Sequence, residues 1–238
     1  MSDVEHSASD RLRRELARLL EWDLREPGLT RAELEQHCRE AIGSSCFGVC
    51  VAGSLIANAA DILGESPVQV VGAVGFPFGN TDSDVKRYET EAAIDSGAQI
   101  IEVVANPGRI RERDGASIVR ELRDIVEAAE ERPVGVALPA AVLELAHLEW
   151  LLPKFSDIGV RGITLMFGDR EADESAQLVQ KASLLAGSQM GLKAEVSAST
   201  PERIAAFLKA GAVRFGTREL SRFLALLDEA RIPDESGG

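Results

Sequence analysis

Lysine is scarce in this 238-residue chain. Among its 26 basic residues only five are lysines: Lys86, Lys154, Lys181, Lys193 and Lys209. Chemistry that needs a side-chain amine therefore has a short list of candidates. Histidine is scarcer still. His6 lies in the N-terminal tail, and His37 and His147 fall within helix patterns away from strand ends. No grouping of His, Asp and Glu has the spacing of a metal site, so neither a metal nor a cofactor is expected. Three cysteines, Cys38, Cys46 and Cys50, are an odd number for a disulfide framework and match no zinc spacing. No apolar run approaches the roughly 18 residues that would span a bilayer. The first ten residues have no apolar segment of a secretory signal, so a cytoplasmic location is expected and no membrane contact. Positive charge is in deficit too: 26 − 39 leaves a net charge of −13, which argues against a nucleic-acid surface. A small anion remains compatible with an acidic chain, because a pocket of amides and one or two Arg suffices. There is no G-x-G-x-x-G, P-loop or nucleophile-elbow sequence.

What the chain does contain is an alternation. Short apolar runs lie near Leu19–Leu24, Phe47–Val51, Val68–Val74, Ile100–Val104, Val134–Leu138, Gly162–Met166, Leu192–Val196 and Val213–Gly216. They are rich in Val and Ile and bounded by Gly or Pro, as buried parallel strands are. Helix patterns cover Ser9–Leu20, Thr30–Ala41, Asp82–Ser96, Gly115–Glu131, Ala141–Leu152, Asp173–Leu185, Pro201–Ala210 and Glu219–Arg231. Thr30 followed by Glu33 is a capping box; Thr200 before Pro201 marks another helix start. In the Asp82–Ser96 helix, Val85, Tyr88, Ala92 and Ala93 are expected on the buried side. Eight runs alternating with helices predict an α/β fold, a (β/α)8 TIM barrel with an extra N-terminal helix. It is read as one domain over residues 1–238, with frayed tails at 1–10 and 232–238. An open doubly wound sheet is the alternative.

A barrel of this kind carries its chemistry at the C-terminal ends of its strands. The polar residues expected there are Asp23, Cys50, Glu102, Asn106, Thr164, Lys193, Glu195, Gly216 and Arg218, with the Gly75-Phe76-Pro77-Phe78-Gly79 turn after the third run. Lys193 interrupts an apolar run, and an ammonium inside a barrel needs a carboxylate or a lowered pKa. Glu102 and Glu195 are the available acids. Lys193 and Glu195 share one strand face; if both point inward they form an amine–carboxylate pair for carbonyl chemistry, and otherwise a rim ion pair without chemistry. Lys193, Glu102 and Asp23 are the catalytic candidates; the other six are candidate substrate-binding residues.

The stretch Val74 to Asn106 resembles the deoxyribose-phosphate aldolase family. It carries Val-Gly-Phe-Pro-Phe-Gly, then Asp84-Val85-Lys86 and Glu89, Gly97-Ala98, and Ile101-Glu102-Val103-Val104. Phe47–Val51 with Cys50, Leu192-Lys193 and Val213–Thr217 extend the likeness over most of the chain. The resemblance implies a class I aldolase, in which a strand-six lysine forms a Schiff base with the substrate. A strand-seven lysine, here Lys193, tunes it, and a strand-four acid, here Glu102, moves protons. The strand-six lysine falls on Thr164. Other positions depart as well. Strand one has Glu21-Trp22-Asp23 for the family's D-H-T, and the strand-five exit has Leu138-Pro139-Ala140. The double glycine after strand seven is Val196-Ser197-Ala198, and the serines after strand eight are Arg218 and Glu219. The resemblance also implies a homodimer and a small carbonyl or sugar-phosphate ligand.

Three readings stand at this stage. Lys193 substitutes for the missing lysine and the protein is a carbon–carbon lyase. Alternatively, Glu102, Lys193 and Asp23 perform acid–base chemistry without an imine. In the third reading the barrel binds a metabolite or a protein and is inactive. A mouth plugged by Trp22, Met166 or Phe167 would favour the third.

Overall fold

The computed structural model describes residues 15–167, 172–196 and 200–229. Eight parallel strands close into a barrel in chain order: β1 (Leu20–Leu24), β2 (Gly48–Val51), β3 (Gln69–Val74), β4 (Ile100–Val104), β5 (Val134–Pro139), β6 (Gly162–Met166), β7 (Gly191–Glu195) and β8 (Arg214–Thr217). Closure comes from β1 pairing with β8, Glu21 opposite Gly216. Around the strands run α1 (Arg31–Ser44), α2 (Ile56–Leu63), α3 (Ser83–Asp95), α4 (Pro107–Arg111), α5 (Gly115–Ala128), α6 (Leu145–Asp157), α7 (Ala172–Ala186), α8 (Pro201–Lys209) and α9 (Leu220–Glu229). The fold is thus the (β/α)8 barrel expected. Residues 15–17 are helical; the rest of the predicted N-terminal helix and both tails lie outside the described residues. No helix among the described residues is long and apolar enough to cross a membrane.

Local chemistry sets several boundaries. Thr30 caps α1 with the full reciprocal box: its Oγ1 accepts from Glu33 N at 3.3 Å, and Thr30 N donates to Glu33 Oε2 at 2.8 Å. Asp82 and Asp114 cap α3 and α5 through their carboxylates. At the C-terminal end of β3 the chain must turn sharply, and two glycines with positive φ make this possible. Gly75 has φ 66° and Gly79 φ 67°, a region that L side chains rarely enter. A Cβ on Gly79 would meet the Ala105 carbonyl oxygen at 2.4 Å. The Phe76–Pro77 bond between them is cis.

The apolar core lies between strands and helices, outside the barrel. Leu20, Trp22 and Leu24 of β1, Ile101 and Val103 of β4, and Leu192 and Ala194 of β7 all point there, against residues such as Ile118, Leu122 and Ile125 of α5. Each fully buried aliphatic side chain contributes about 1.5–3 kcal/mol of transfer free energy. The alternate residues point into the barrel, and there the pattern is different. A small apolar group of Cys50, Val71 and Ala73 adjoins a cluster of charged side chains.

Two expectations are corrected. The segment after β2 forms a helix, α2, that the apolar spacing did not reveal. On α3 the buried residues are Lys86, Thr90 and Ala93, whereas Val85 and Tyr88 are 51% and 71% exposed. The helix is rotated because Lys86 has partners inside: its Nζ donates to Glu121 Oε1 at 2.8 Å and to the Val104 carbonyl at 2.9 Å. Turned the other way, the helix would leave Glu121 buried without its ammonium, and an unpaired buried charge is the costly outcome. Glu89, one turn on, accepts from Gly75 N at 2.8 Å and so ties α3 to the strand-three turn.

Candidate active site

Polar residues two apart on β1 all face the interior: Glu21, Asp23 and, just past the strand, Arg25. Lys193 enters from β7, Glu102 from β4 and Thr164 from β6, each buried. Thr164 stands opposite Lys193 in the β6–β7 register. The Lys193 ammonium donates to Glu21 Oε1 and lies 2.6 Å from Glu102 Oε2. The same Glu102 oxygen accepts from Thr164 Oγ1 at 2.5 Å. Lys193 is thus paired across the barrel to β1 and β4, and not to Glu195 as the shared face suggested. Residues two apart on one strand are separated by about 6.6 Å, so Lys193 and Glu195 occupy successive levels.

Arg25 occupies the level above. Its Nε donates to Asp23 Oδ1 at 2.6 Å, and its two terminal nitrogens reach Glu195 Oε1 and, at 3.4 Å, Glu102 Oε1. The guanidinium lies 4.0 Å over the Phe76 ring, which brings the strand-three turn into the site. A planar cation with five donors suits such a fork. Arg25 therefore closes the Lys193 cluster from the mouth.

Above Arg25 lies a cavity of about 320 Å³, lined among others by Asp23, Phe76, Pro77, Met166, Glu195 and Arg218. Gly216 also faces it. A Cβ there would meet Glu195 Cγ at 2.8 Å, so glycine at this place gives Glu195 its room. Arg218 stands at the rim, its Nε 3.4 Å from Asp23 Oδ2. Trp22 does not plug the mouth: it faces outward, its ring 4.5 Å from His37, and donates from Nε1 to the Arg218 carbonyl. Phe167 is buried against Phe207. Of the three residues considered as plugs, only Met166 lines the cavity.

The cluster's charges are set by competing causes. Burial disfavours the charged form of Lys193, but Glu102 and Glu21 outweigh it and hold the ammonium well above the usual lysine range. Burial would raise Glu102, yet Lys193 and Arg25 leave it below the usual carboxylate range. Asp23 is likewise lowered, Arg25 overcoming burial. Glu195 goes the other way: burial, with Glu102 and Asp23 nearby, raises it despite Arg25. Burial pushes the Cys50 thiol well up, and its Sγ is 4.0 Å from Glu102 Oε1. The Asn106 side chain accepts from Gly108 N and Arg109 N and caps α4; it joins neither the cluster nor the cavity lining. Ser197 and Ala198, at the position of the family's double glycine, lie outside the described residues. Glu21, Cys50 and Glu102 place three donor atoms within 4.8 Å of one another, but the Lys193 ammonium is already paired with both carboxylates.

Arg25 and Glu21 were missed as site residues. The signal was present: polar residues at 21, 23 and 25 alternate with Leu20, Trp22 and Leu24, an inverted strand pattern with the charges inside.

No family model matches the chain. It is 31% identical to deoxyribose-phosphate aldolase of Thermosynechococcus vestitus over 213 residues, covering 90% of this chain and 96% of that protein. The chain belongs to the deoxyribose-phosphate aldolase family. The deoxyribose-phosphate aldolase of Bdellovibrio bacteriovorus is 28% identical over 203 residues, 85% of this chain and 92% of that one. The barrel also superposes on a solved structure described as a putative deoxyribose-phosphate aldolase from Coccidioides immitis, with TM-score 0.83 at 22% identity, covering 92% of this chain and 87% of that one. The Aeropyrum pernix deoxyribose phosphate aldolase, described as tetrameric, gives 0.80 at 20% identity, covering 97% of this chain and all of that one. Membership in the aldolase family supports an aldolase-like lyase.

Proposed function

We propose that this family member is a carbon–carbon lyase acting on a small hydroxy-carbonyl compound, sugar phosphates included, by acid–base chemistry without a Schiff base. The observation that carries this reading is the state of Lys193. Its amine is held as an ammonium between Glu21 and Glu102, beneath Arg25. An imine needs a free amine with an open approach, and Thr164, at the position the family resemblance assigns to the Schiff-base lysine, has only a hydroxyl.

The groups facing the mouth cavity are better placed. Glu195 has a raised pKa and sits beside a fixed guanidinium. As a carboxylate it would take the proton of the substrate hydroxyl. The O–H electrons then form a carbonyl as the carbon–carbon bond breaks, and the bond electrons pass to the other fragment as an enolate. Arg25 would stabilise the developing oxyanion, preorganised by Asp23 and Phe76. The protonated Glu195 would return its proton to the enolate carbon. Arg218 at the rim would meet an anionic substituent such as a phosphate. Lys193 and Glu102 on this reading hold Arg25 and the barrel floor in place.

The test is cleavage of a panel of hydroxyaldehydes and hydroxyketones, 2-deoxyribose 5-phosphate among them, followed by NMR. Turnover that falls at least 100-fold in Glu195→Gln supports the reading. Turnover that survives Glu195→Gln and disappears in a folded Lys193→Arg variant would overturn it.

A further inference from the structure

The barrel has a second opening. At its N-terminal end lies a cavity of about 100 Å³ that reaches Glu21, Glu102, Thr164 and Lys193 from below. In barrels of this architecture the interior is filled by layers of branched side chains. Here three neighbouring inward positions, Gly135, Gly162 and Gly191, carry none. They sit side by side in register across β5, β6 and β7.

Packing does not require these glycines. An added Cβ would find its nearest neighbour at 3.7 Å on Gly135, 3.6 Å on Gly162 and 3.8 Å on Gly191, ordinary contacts, and none has positive φ. Two other interior glycines differ: a Cβ on Gly48 would meet the Gln69 carbonyl at 2.7 Å, and one on Gly216 would meet Glu195. The space at the N-terminal end is therefore a feature of the side chains chosen and is not imposed by backbone crowding.

The walls are polar where they meet the cluster. Two carboxylates, an ammonium and a hydroxyl line the inner end, and Arg214 lines the outer part. Its buried Nε has no hydrogen-bond partner and its guanidinium lies 3.3 Å over the Phe47 ring. Most of the wall is apolar, but the inner end offers several hydrogen-bonding groups, and a space this large with such partners is roomy enough to hold water. Arg25 and Phe76 close the other side of the cluster.

We infer that this chamber is a water-filled proton route from the N-terminal face to the Lys193–Glu21–Glu102–Thr164 cluster, separate from the substrate mouth. Labile protons on Lys193 and Thr164 exchange with bulk water through it while Arg25 keeps the mouth side shut. The inference does not depend on which reaction the mouth performs.

The scarcity of lysine makes the test direct. In protein labelled with 15N-lysine, the five ammonium groups can be followed by NMR, and hydrogen exchange with water measured for Lys193. Lys86, equally buried beside Glu121 and away from the chamber, reports general opening of the fold. Two chamber-filling variants are compared with wild type: Gly162→Leu, and a gentler Gly135→Ala/Gly162→Ala/Gly191→Ala whose methyl groups the distances above accommodate. The expected result is Lys193 exchange at least tenfold slower in the filled variants, with Lys86 unchanged. Lys193 exchange that keeps its wild-type rate in the folded triple variant overturns the inference. So does a high-resolution crystal structure with no water in the chamber.

Discussion

One carboxylate oxygen, Glu102 Oε2, serves both Lys193, whose Nζ is 2.6 Å away, and Thr164, whose Oγ1 donates at 2.5 Å. This shared acceptor joins three strands, β4, β6 and β7, and fixes the charge of the barrel interior. Lys193 acts there as a counter-ion for Glu21 and Glu102.

Removing that counter-ion is expected to be costly. Lys193→Met would leave two buried carboxylates without their ammonium, a loss of about 3–5 kcal/mol in the usual range for breaking a buried pair. Urea unfolding should show the midpoint falling accordingly. A change below about 1 kcal/mol would mean that the two carboxylates do not need the ammonium, and would contradict its role as their counter-ion.

A lysine returned to β6 has a different expected effect. In Thr164→Lys the new amine stands opposite Lys193 in the strand register, and a neighbouring ammonium lowers an amine's pKa. Because Arg25 closes this cluster from the mouth, borohydride with acetaldehyde should trap an adduct on residue 164 only when Thr164→Lys is combined with Arg25→Ala. Peptide mapping by mass spectrometry checks it.

Stability should depend on pH in two opposing ways. Glu195 has a raised pKa when folded, so the folded chain holds its proton to higher pH than the unfolded one. The stability this contributes is full below the ordinary glutamate range and lost as pH rises through the raised value. Glu102, lowered when folded, contributes stability above the ordinary range that is lost as pH falls through its lowered value. Unfolding of Glu195→Gln measured across mildly acidic pH should lack the first slope and keep the second. In the same variant, the rise of activity with pH through the Glu195 value should vanish.

Outside the site, Lys86→Met should also destabilise by about 3–5 kcal/mol, since it strands Glu121, which is 2% exposed. Arg109 at 2.9 Å from Glu121 Oε2 would retain part of the pairing, which places the expected value toward the lower end. Thermal unfolding checks the direction.

The barrel was legible in the sequence because its strands are short, apolar and bounded by Gly or Pro, and because capping residues such as Thr30 and Thr200 act locally. The helix Ile56–Leu63 escaped because it begins from the turn at Gly53–Leu55 with no side-chain cap. The face of the helix carrying Lys86 was misjudged because its partner, Glu121, is 35 residues away; no local spacing reports a remote ion pair. The same applies to the site. Lys193 and Glu102 stood out as charges in apolar runs, and both are in the cluster. Their partners could not be read, because the register of β1 against β7 and β4 is a property of the closed barrel. Arg25 continues the alternation of Glu21 and Asp23 one step past the strand, a signal that the strand boundary at Leu24 conceals.

The most direct measurement is borohydride trapping with 2-deoxyribose 5-phosphate and with a panel of small aldehydes, followed by peptide mapping of the folded wild-type chain. The expected result is no adduct on Lys193 with any carbonyl, because its amine remains an ammonium between Glu21 and Glu102. An adduct on Lys193 that disappears in Lys193→Arg would contradict this and make Lys193 the Schiff-base lysine of the barrel.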